Sequence, residues 1–357
     1  MTGERGSGQS NGNSPPQAAR VQIIHLVPQT GIGGVEAAAA SMAEIHTDRL
    51  DFLVRSIFGS SLPGFPVRLI DYIRAASGLL RSPPDLLIVS LWRAALVGIL
   101  IKLLRRRVRL VLFLHSADDA HVLDRWANHL ALWMCDWVWA DSQTTLETRL
   151  QGRARARGSV ISYRIANLPR VASANPRPNF IYWGRLHPIK QLDSAIRIFA
   201  GVRQACGTGQ FVVIGPDSGA EAALREQVAA EGLNGCVQFR GPCDLTAITQ
   251  EAAQASFFIL TSKLEGMAAA VVEAMQLGLV PVVTPVGDIA RYARDGENAV
   301  IVASEAQAIA DVLVLLNSPE RYQRLSDGAS AEWSGMPTYR DSVLQACDRA
   351  MASTQAR

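Results

Sequence analysis

From Val21 onward the chain alternates short apolar runs with helix-length amphipathic segments, and that rhythm confines it to a doubly wound α/β architecture. Strand-like runs occupy Val21 to Val27, Phe52 to Phe58, Leu86 to Val89, Leu110 to Leu114, Trp137 to Ala140 and Ser159 to Ile165. Helical segments are expected from Val35, Val67, Ala94, His121 and Thr144. The stretch Asn167 to Pro178, with prolines at 169, 176 and 178, breaks the rhythm and reads as a linker. A second series opens at Phe180-Ile-Tyr-Trp and continues through Phe211 to Gly215, Val237 to Phe239, Phe257 to Leu260, Val280 to Val283 and Val300 to Val302. The expected organisation is a polar, disordered tail over 1–20, a first domain over 21–168, a linker over 169–178 and a second domain over 179–335. A closing segment over 336–357 carries a helix from about Tyr339 to Met351. At 357 residues the chain exceeds one ordinary core, so two Rossmann-like domains facing a cleft are the natural arrangement.

Between Ser262 and Asp288 two glutamates, Glu265 and Glu273, stand in an otherwise small and apolar stretch. The run Phe257 to Leu260 reads as a buried strand, Met267 to Leu277 as a helix of small residues, and Val280 to Val283 as the next strand. The acids therefore straddle a strand-to-helix turn, where the first helical N–H groups and the macrodipole favour an anion such as phosphate. Both can reach one elongated ligand. The plain alternative makes Glu273 an exposed helix residue and Glu265 a loop charge, although a carboxylate seldom enters an Ala/Val/Met helix without a partner.

This segment resembles the donor-site signature of glycosyltransferase family 4, the retaining, nucleotide-sugar-dependent enzymes of GT-B fold. The resemblance rests on Glu265-x7-Glu273, Gly266 after the first acid, Ala274-Met275 after the second, then Gly278, a Pro-Val-Val strand and a Val-Gly turn. It implies two Rossmann-like domains about a central cleft, with the C-terminal helix crossing back to the first. It also implies that Glu273 binds the ribose hydroxyls and that Glu265 orients the transferred sugar or stabilises its positive character, with Gly266, Met267, Ala268 and Ala269 at the donor. The family usually has an aromatic residue and a glycine where this chain has Met267 and Ala268.

Other loops supply further candidates. Gly31-Ile-Gly-Gly-Val-Glu36 follows the first strand and fails as a dinucleotide fingerprint, because Glu36 stands at its third glycine position. It resembles the family's Gly-Gly-x-Glu loop, which places Gly33 and Gly34 near the donor; a plain strand-to-helix turn is the other reading. His115 ends a buried strand, where a histidine is commonly structural, yet its position matches the family's first-domain histidine that meets the donor sugar. His25, His46, His121, His129 and His187 have no comparable placement. In Tyr182-Trp-Gly-Arg-Leu-His-Pro-Ile-Lys-Gln191, Gly184 closes the strand, and Arg185 and Lys190 suit a diphosphate that gains charge as the glycosidic bond breaks. Solvated surface charges are the alternative there. Gly215 ends the next strand, and Gln191 stands where the family has glycine.

The sequence offers no Asp-x-Asp at a strand end, no H-E-x-x-H and no Cys/His cluster, so no metal or other cofactor is expected. Asp118-Asp119 reads as a helix-initiating loop. Cys135, Cys206, Cys236, Cys243 and Cys347 show no C-x-x-C spacing and suit a reducing cytosol. A net charge of +3 without interleaved basic and aromatic residues gives no support for nucleic acid. No signal peptide or membrane-spanning segment is evident, which points to the cytoplasm. The apolar stretch from Trp92 runs into Lys102, Arg105, Arg106, Arg107 and Arg109, a combination that suits the anionic cytoplasmic face of an inner membrane. A helix buried between sheet and solvent with a basic C-terminal cap is the favoured alternative. The expected activity is a retaining, metal-independent transfer of a hexose from a nucleotide-diphosphate sugar to an acceptor hydroxyl, in polysaccharide or lipid-linked glycoconjugate synthesis. The rival readings are a catalytically silent nucleotide-sugar-binding subunit and a nucleotide-sugar epimerase.

Overall fold

A computed structural model describes residues 20–30, 34–59, 69–116, 119, 121–150 and 158–352 and shows two parallel sheets, one per domain. The first contains β1 (Val21–Val27), β2 (Ile45–His46), β3 (Leu50–Ser56), β4 (Leu86–Ser90), β5 (Arg109–Leu114), β6 (Trp137–Ala140) and β7 (Gly158–Val160), in the order β2-β3-β1-β4-β5-β6-β7. Only the β2 to β3 pairing is antiparallel. The helices are α1 (Gly34–Ala40), α2 (Leu69–Arg81), α3 (Leu91–Leu104), α4 (Val122–Met134) and α5 (Gln143–Leu150). All five residues of β4 are buried because helices cover both faces of the sheet, which is why the strand reads as an unbroken apolar run.

The second sheet has β8 (Phe180–Trp183), β9 (Phe211–Ile214), β10 (Val237–Phe239), β11 (Phe257–Leu260), β12 (Val280–Val283) and β13 (Val300–Ile301), in the order β10-β9-β8-β11-β12-β13. Its helices are α6 (Leu192–Cys206), α7 (Glu221–Ala230), α8 (Leu245–Ala252), α9 (Ala269–Gln276), α10 (Ile289–Tyr292), α11 (Glu305–Leu316) and α12 (Pro319–Trp333). Several ends are set by local chemistry. Asp244 accepts from Ala247 N at 2.8 Å to start α8, Ser304 accepts from Gln307 N at 3.2 Å to start α11, and Pro319 occupies the first turn of α12.

The connection between domains is longer than the proline-marked segment, since no helix or strand occupies residues 161–179. Ile161 and Tyr163 plug the first-domain core instead of extending β7, whereas Val171 N and Ala172 N bond to Leu277 O in the second domain. After a turn at Gly335, α13 (Tyr339–Ala352) crosses back. Val343, Ala346 and Cys347 pack with Ile23, Phe113 and Trp139 on one face of the first sheet, opposite the face that Leu79, Ala95, Ile99 and Ala131 cover. Tyr339 lies 6.4 Å from the Phe113 ring and 5.7 Å from the Tyr163 ring, centroid to centroid, and its N–H donates to Arg164 O. Replacing Tyr339 with Ala is expected to cost about 3 kcal/mol or more, read as a lower urea midpoint, because the buried ring packs against the Phe113 and Tyr163 rings and its removal leaves a cavity.

Candidate active site

In each sheet the strand order reverses beside the first strand of the series, so the loops after β8 and β11, and those after β1 and β4, open at the crevice where ligands bind open α/β sheets. The loop after β8 carries Gly184, Arg185 and a 3-10 turn over Pro188–Lys190, started by His187, whose Nδ1 accepts from Ile189 N at 3.1 Å. The loop after β11 carries Glu265. The two meet directly: Lys190 Nζ donates to Glu265 Oε1 at 2.6 Å, and Ser262 Oγ donates to the same oxygen at 2.5 Å. Arg185 is exposed and forms no ion pair among the described residues.

Glu273 projects from α9, and Trp183 Nε1 donates to its Oε2 at 2.7 Å. Burial raises this carboxyl to about pH 6, with the Trp183 hydrogen bond opposing the rise. Trp183, at the end of β8, is thus the partner that a carboxylate in this helix requires.

The backbone is strained at Ala268 and Gln191, the two positions where the resemblance implies glycine. Ala268 (φ 56) and Gln191 (φ 47) both occupy the left-handed region, as does Leu91 (φ 67) at the start of α3. These are three of the four non-glycine residues with positive φ among those described, and they surround the crevice. Gly215 is fixed by a local demand: a Cβ there would stand 1.8 Å from Gly184 O, so the two glycines let the β8 and β9 ends approach. Gly34 begins α1; Gly33 lies outside the described residues.

The first-domain wall is a buried polar chain. Ser90 Oγ lies 2.8 Å from His25 Nε2 and 2.9 Å from His115 Nε2, so its hydroxyl serves the two imidazoles and makes no cap for α3. A hydroxyl carries one proton, so at most one imidazole can accept from it and the tautomers are coupled. Burial lowers His115 to about pH 3, with His25 adding repulsion, and burial lowers His25 to about pH 4. Both rings are neutral at neutral pH. Beyond His115 stands Asp141, 4.0 Å from Nδ1, with its carboxyl raised to about pH 7 by burial. His115 Nδ1 and Asp141 Oδ1 are buried without hydrogen bonds. The register of β1 against β4 puts the His25 ring beside Ser90, inside the core and behind His115.

The walls meet at Gly266, where a Cβ would stand 2.9 Å from His115 O and 3.0 Å from Asp141 Oδ2. Met267 packs against the cores of both domains and Ala269 against that of the first. Gly287 backs the same loop, with Glu265 O only 2.3 Å from its Cβ position. The next residue, Asp288, donates its N–H to Gly266 O and accepts with its carboxylate from Gln143 N at 3.1 Å and Thr144 N at 3.0 Å. A second-domain acid thereby caps α5 of the first domain. Arg291 adds bonds to Thr144 Oγ1 and Glu147 Oε2.

A cavity of about 340 Å³ opens on the first-domain side, lined by Gln29, Glu36, Trp92, Arg93, Asp119 and the second domain's Leu264, among others. Arg185 and Glu273 are not in its wall. Gln29 Nε2 donates to Glu36, and the Arg93 guanidinium lies 4.9 Å from the Trp92 ring centroid. Asp119 does not start α4, since His121 Nδ1 accepts from Asp124 N in that role; Asp119 instead binds Arg149 at 2.6 Å. Asp118 lies outside the described residues.

Two members of the basic cluster are internal tethers. Lys102 Nζ donates to Asp136 Oδ2 at 2.6 Å and to Val108 O at 2.9 Å, and Arg109 Nη1 donates to Ala350 O and Met351 O on α13. Arg105, Arg106 and Arg107 are exposed. All five cysteines are free. Among the described residues no three His, Cys, Asp or Glu side chains gather as a metal-holding group.

Two predictions follow from this geometry. Gln191→Gly and Ala268→Gly should each stabilise the protein by about 1 kcal/mol in urea unfolding, because a left-handed backbone opposes a Cβ; a loss would show that their side chains outweigh the strain. Asp141 has a folded pKa near 7 against an ordinary 3.8, so its proton favours the folded state, and this contribution fades between about pH 4 and 7. Asp141→Asn should therefore match wild type in thermal midpoint near pH 4 and exceed it increasingly up to pH 7, as followed by calorimetry.

Residues 177–318 match the family model described as "Glycosyl transferases group 1". A GDP-mannose:cellobiosyl-diphosphopolyprenol alpha-mannosyltransferase of Xanthomonas campestris is 28% identical over 138 residues, 38% of this chain and 36% of that protein. Its namesake in Komagataeibacter xylinus is 29% identical over 172 residues, 45% of this chain and 44% of that one. The matched stretch spans less than half the length of either relative. In three dimensions, Anabaena HepE in complex with UDP-glucose superposes with a TM-score of 0.76 at 18% identity, over 93% of this chain and 100% of that one. Residues 177–318 are thus similar to the glycosyl transferases group 1 family, within a chain that has the GT-B fold.

Proposed function

We propose that this chain is a retaining glycosyltransferase that moves a hexose from a nucleoside-diphosphate sugar to a hydroxyl of a lipid-linked glycan, without a metal. The observation that supports the reading is the Lys190–Glu265 pair beside the Trp183-held Glu273 at the second domain's switch point, with Arg185 exposed on the same loop as Lys190 and His115 across the crevice at Gly266. The names of the similar proteins support the substrate classes: GDP-mannose and a diphosphopolyprenol-linked acceptor for the mannosyltransferases, UDP-glucose for HepE.

Each role follows from chemistry. Glu273, with one oxygen occupied by Trp183, offers the other to a vicinal ribose diol. The start of α9 provides unbonded N–H groups for the diphosphate, and Arg185 with Lys190 balances the charge that grows on the leaving nucleoside diphosphate. In this reading Lys190 exchanges part of its contact with Glu265 for phosphate oxygen as donor binds. The released carboxylate then faces the anomeric carbon, where positive character develops in the transition state. Neutral His115 orients a sugar hydroxyl and supplies no proton. The acceptor sugar occupies the cavity beside Trp92, Glu36 and Asp119, a combination of aromatic face and acceptor oxygens that suits a hydroxylated ring.

Nucleotide sugars should raise the thermal midpoint, and with a suitable acceptor they should be turned over. Arg185→Ala is expected to lower kcat about a hundredfold. Glu273→Gln is expected to act mainly on the donor KM, and Glu265→Gln mainly on kcat. Stabilisation without turnover on any acceptor would favour a silent sugar-nucleotide-binding subunit, and turnover indifferent to all three substitutions would overturn the site.

A further inference from the structure

Helices α2, α3 and α4 form one layer over the first sheet, with α3 between the other two. Their inner faces fill the core, and their outer faces are unusually apolar. Thirteen of the seventeen exposed large apolar side chains among the described residues lie on these three helices. The spacing is helical: Leu96, Leu100, Leu103 and Leu104 share one side of α3, and Leu123, Trp126, Leu130 and Trp133 one side of α4. Leu103 is 60%, Trp126 72% and Trp133 79% exposed. Single exposed leucines are ordinary, whereas a contiguous apolar face marks an interaction surface.

Charge identifies the occupant. The acids on and beside these helices are engaged within the protein: Asp71 with Arg74, Asp119 with Arg149, Asp136 with Lys102, and Asp124 with Asn128. The cations at the far ends of α2 and α3 are outward, with Arg81, Arg105, Arg106 and Arg107 all exposed. Arg105 reaches Leu80 O at 3.5 Å, which places the two helix ends together. An apolar face bearing tryptophans, edged by arginine and stripped of free acid, complements hydrocarbon beneath anionic headgroups. No helix among the described residues is long and apolar enough to cross a membrane, so the layer would lie on the surface.

We infer that the outer face of α2, α3 and α4 docks the protein on an anionic bilayer, with Trp126 and Trp133 inserted at the headgroup level. Because each of these helices starts at the crevice end of its strand, the docked face reaches from the basic edge to the crevice mouth. Trp92 in the cavity wall lies 5.1 Å from His121, the residue that starts α4, so the cavity opens beside the docked layer. The inference goes beyond the proposed transfer reaction and stands on the surface alone.

Flotation of the full chain with phosphatidylcholine vesicles, with and without phosphatidylglycerol, tests it. Wild type should float with the anionic vesicles and be released by salt. Trp126→Glu with Trp133→Glu should lower the bound fraction about tenfold or more, and Arg105→Glu with Arg106→Glu and Arg107→Glu should abolish the preference for anionic lipid. These side chains are exposed, so thermal midpoints and nucleotide-sugar stabilisation should be unchanged, which separates docking from catalysis. Wild type that floats with neither vesicle, or a tryptophan variant that floats like wild type, would overturn the inference. So would a dimer in light scattering that the tryptophan variant dissolves, since the face would then bind a second copy.

Discussion

One carboxylate fixes the relation between the two halves of the crevice. Asp288 caps the start of α5 with both oxygens while its own N–H holds Gly266 O, so a single residue sets the first-domain helix and the Glu265 loop in one frame. Capping by a charged acceptor stabilises more than an ordinary side-chain bond because the helix start is itself positive. The consequence is local: Gly266 comes within van der Waals contact of His115 and Asp141, and any side chain at that position would hold the domains apart. Arg291 reinforces the clasp from the same short helix, α10.

The electrostatics divide along that junction. On one side Lys190, Glu265 and Ser262 form a compact polar group, and Arg185 reaches solvent. On the other, burial suppresses charge, leaving His25 and His115 neutral and moving the Asp141 carboxyl into the neutral range. A ligand between the walls therefore meets formal charge from the second domain and oriented, uncharged dipoles from the first. The strained residues Leu91, Gln191 and Ala268 sit where these walls turn toward each other.

Legibility in the sequence followed the range of the interactions. Phe257 to Leu260 and Val280 to Val283 read correctly because buried parallel strands are apolar without interruption, and the spacing of Glu265 and Glu273 across the turn between them needed no tertiary knowledge. Trp183, Ser90, Asp141 and Asp288 carry no local signal because their partners lie far along the chain; Ser90 in particular has the position of a helix cap, while two imidazoles claim its hydroxyl. Lys102 and Arg109 share only adjacency with Arg105 to Arg107, while Asp136 and the end of α13 decide their roles. The outer face of α4 misleads in another way: its apolar residues suggest burial, and only the packing shows Trp126 and Trp133 turned outward.

The return of α13 to the first sheet has a consequence for synthesis. Tyr339, Val343, Ala346 and Cys347 complete a core whose other walls come from β1, β5 and β6, so the first domain cannot close one of its two faces until α13 has been synthesised. The second domain has its own core from Phe180 to Trp333 and meets no such delay. The first-domain core, and the crevice wall built on it, are therefore complete only once α13 has folded back onto the first sheet.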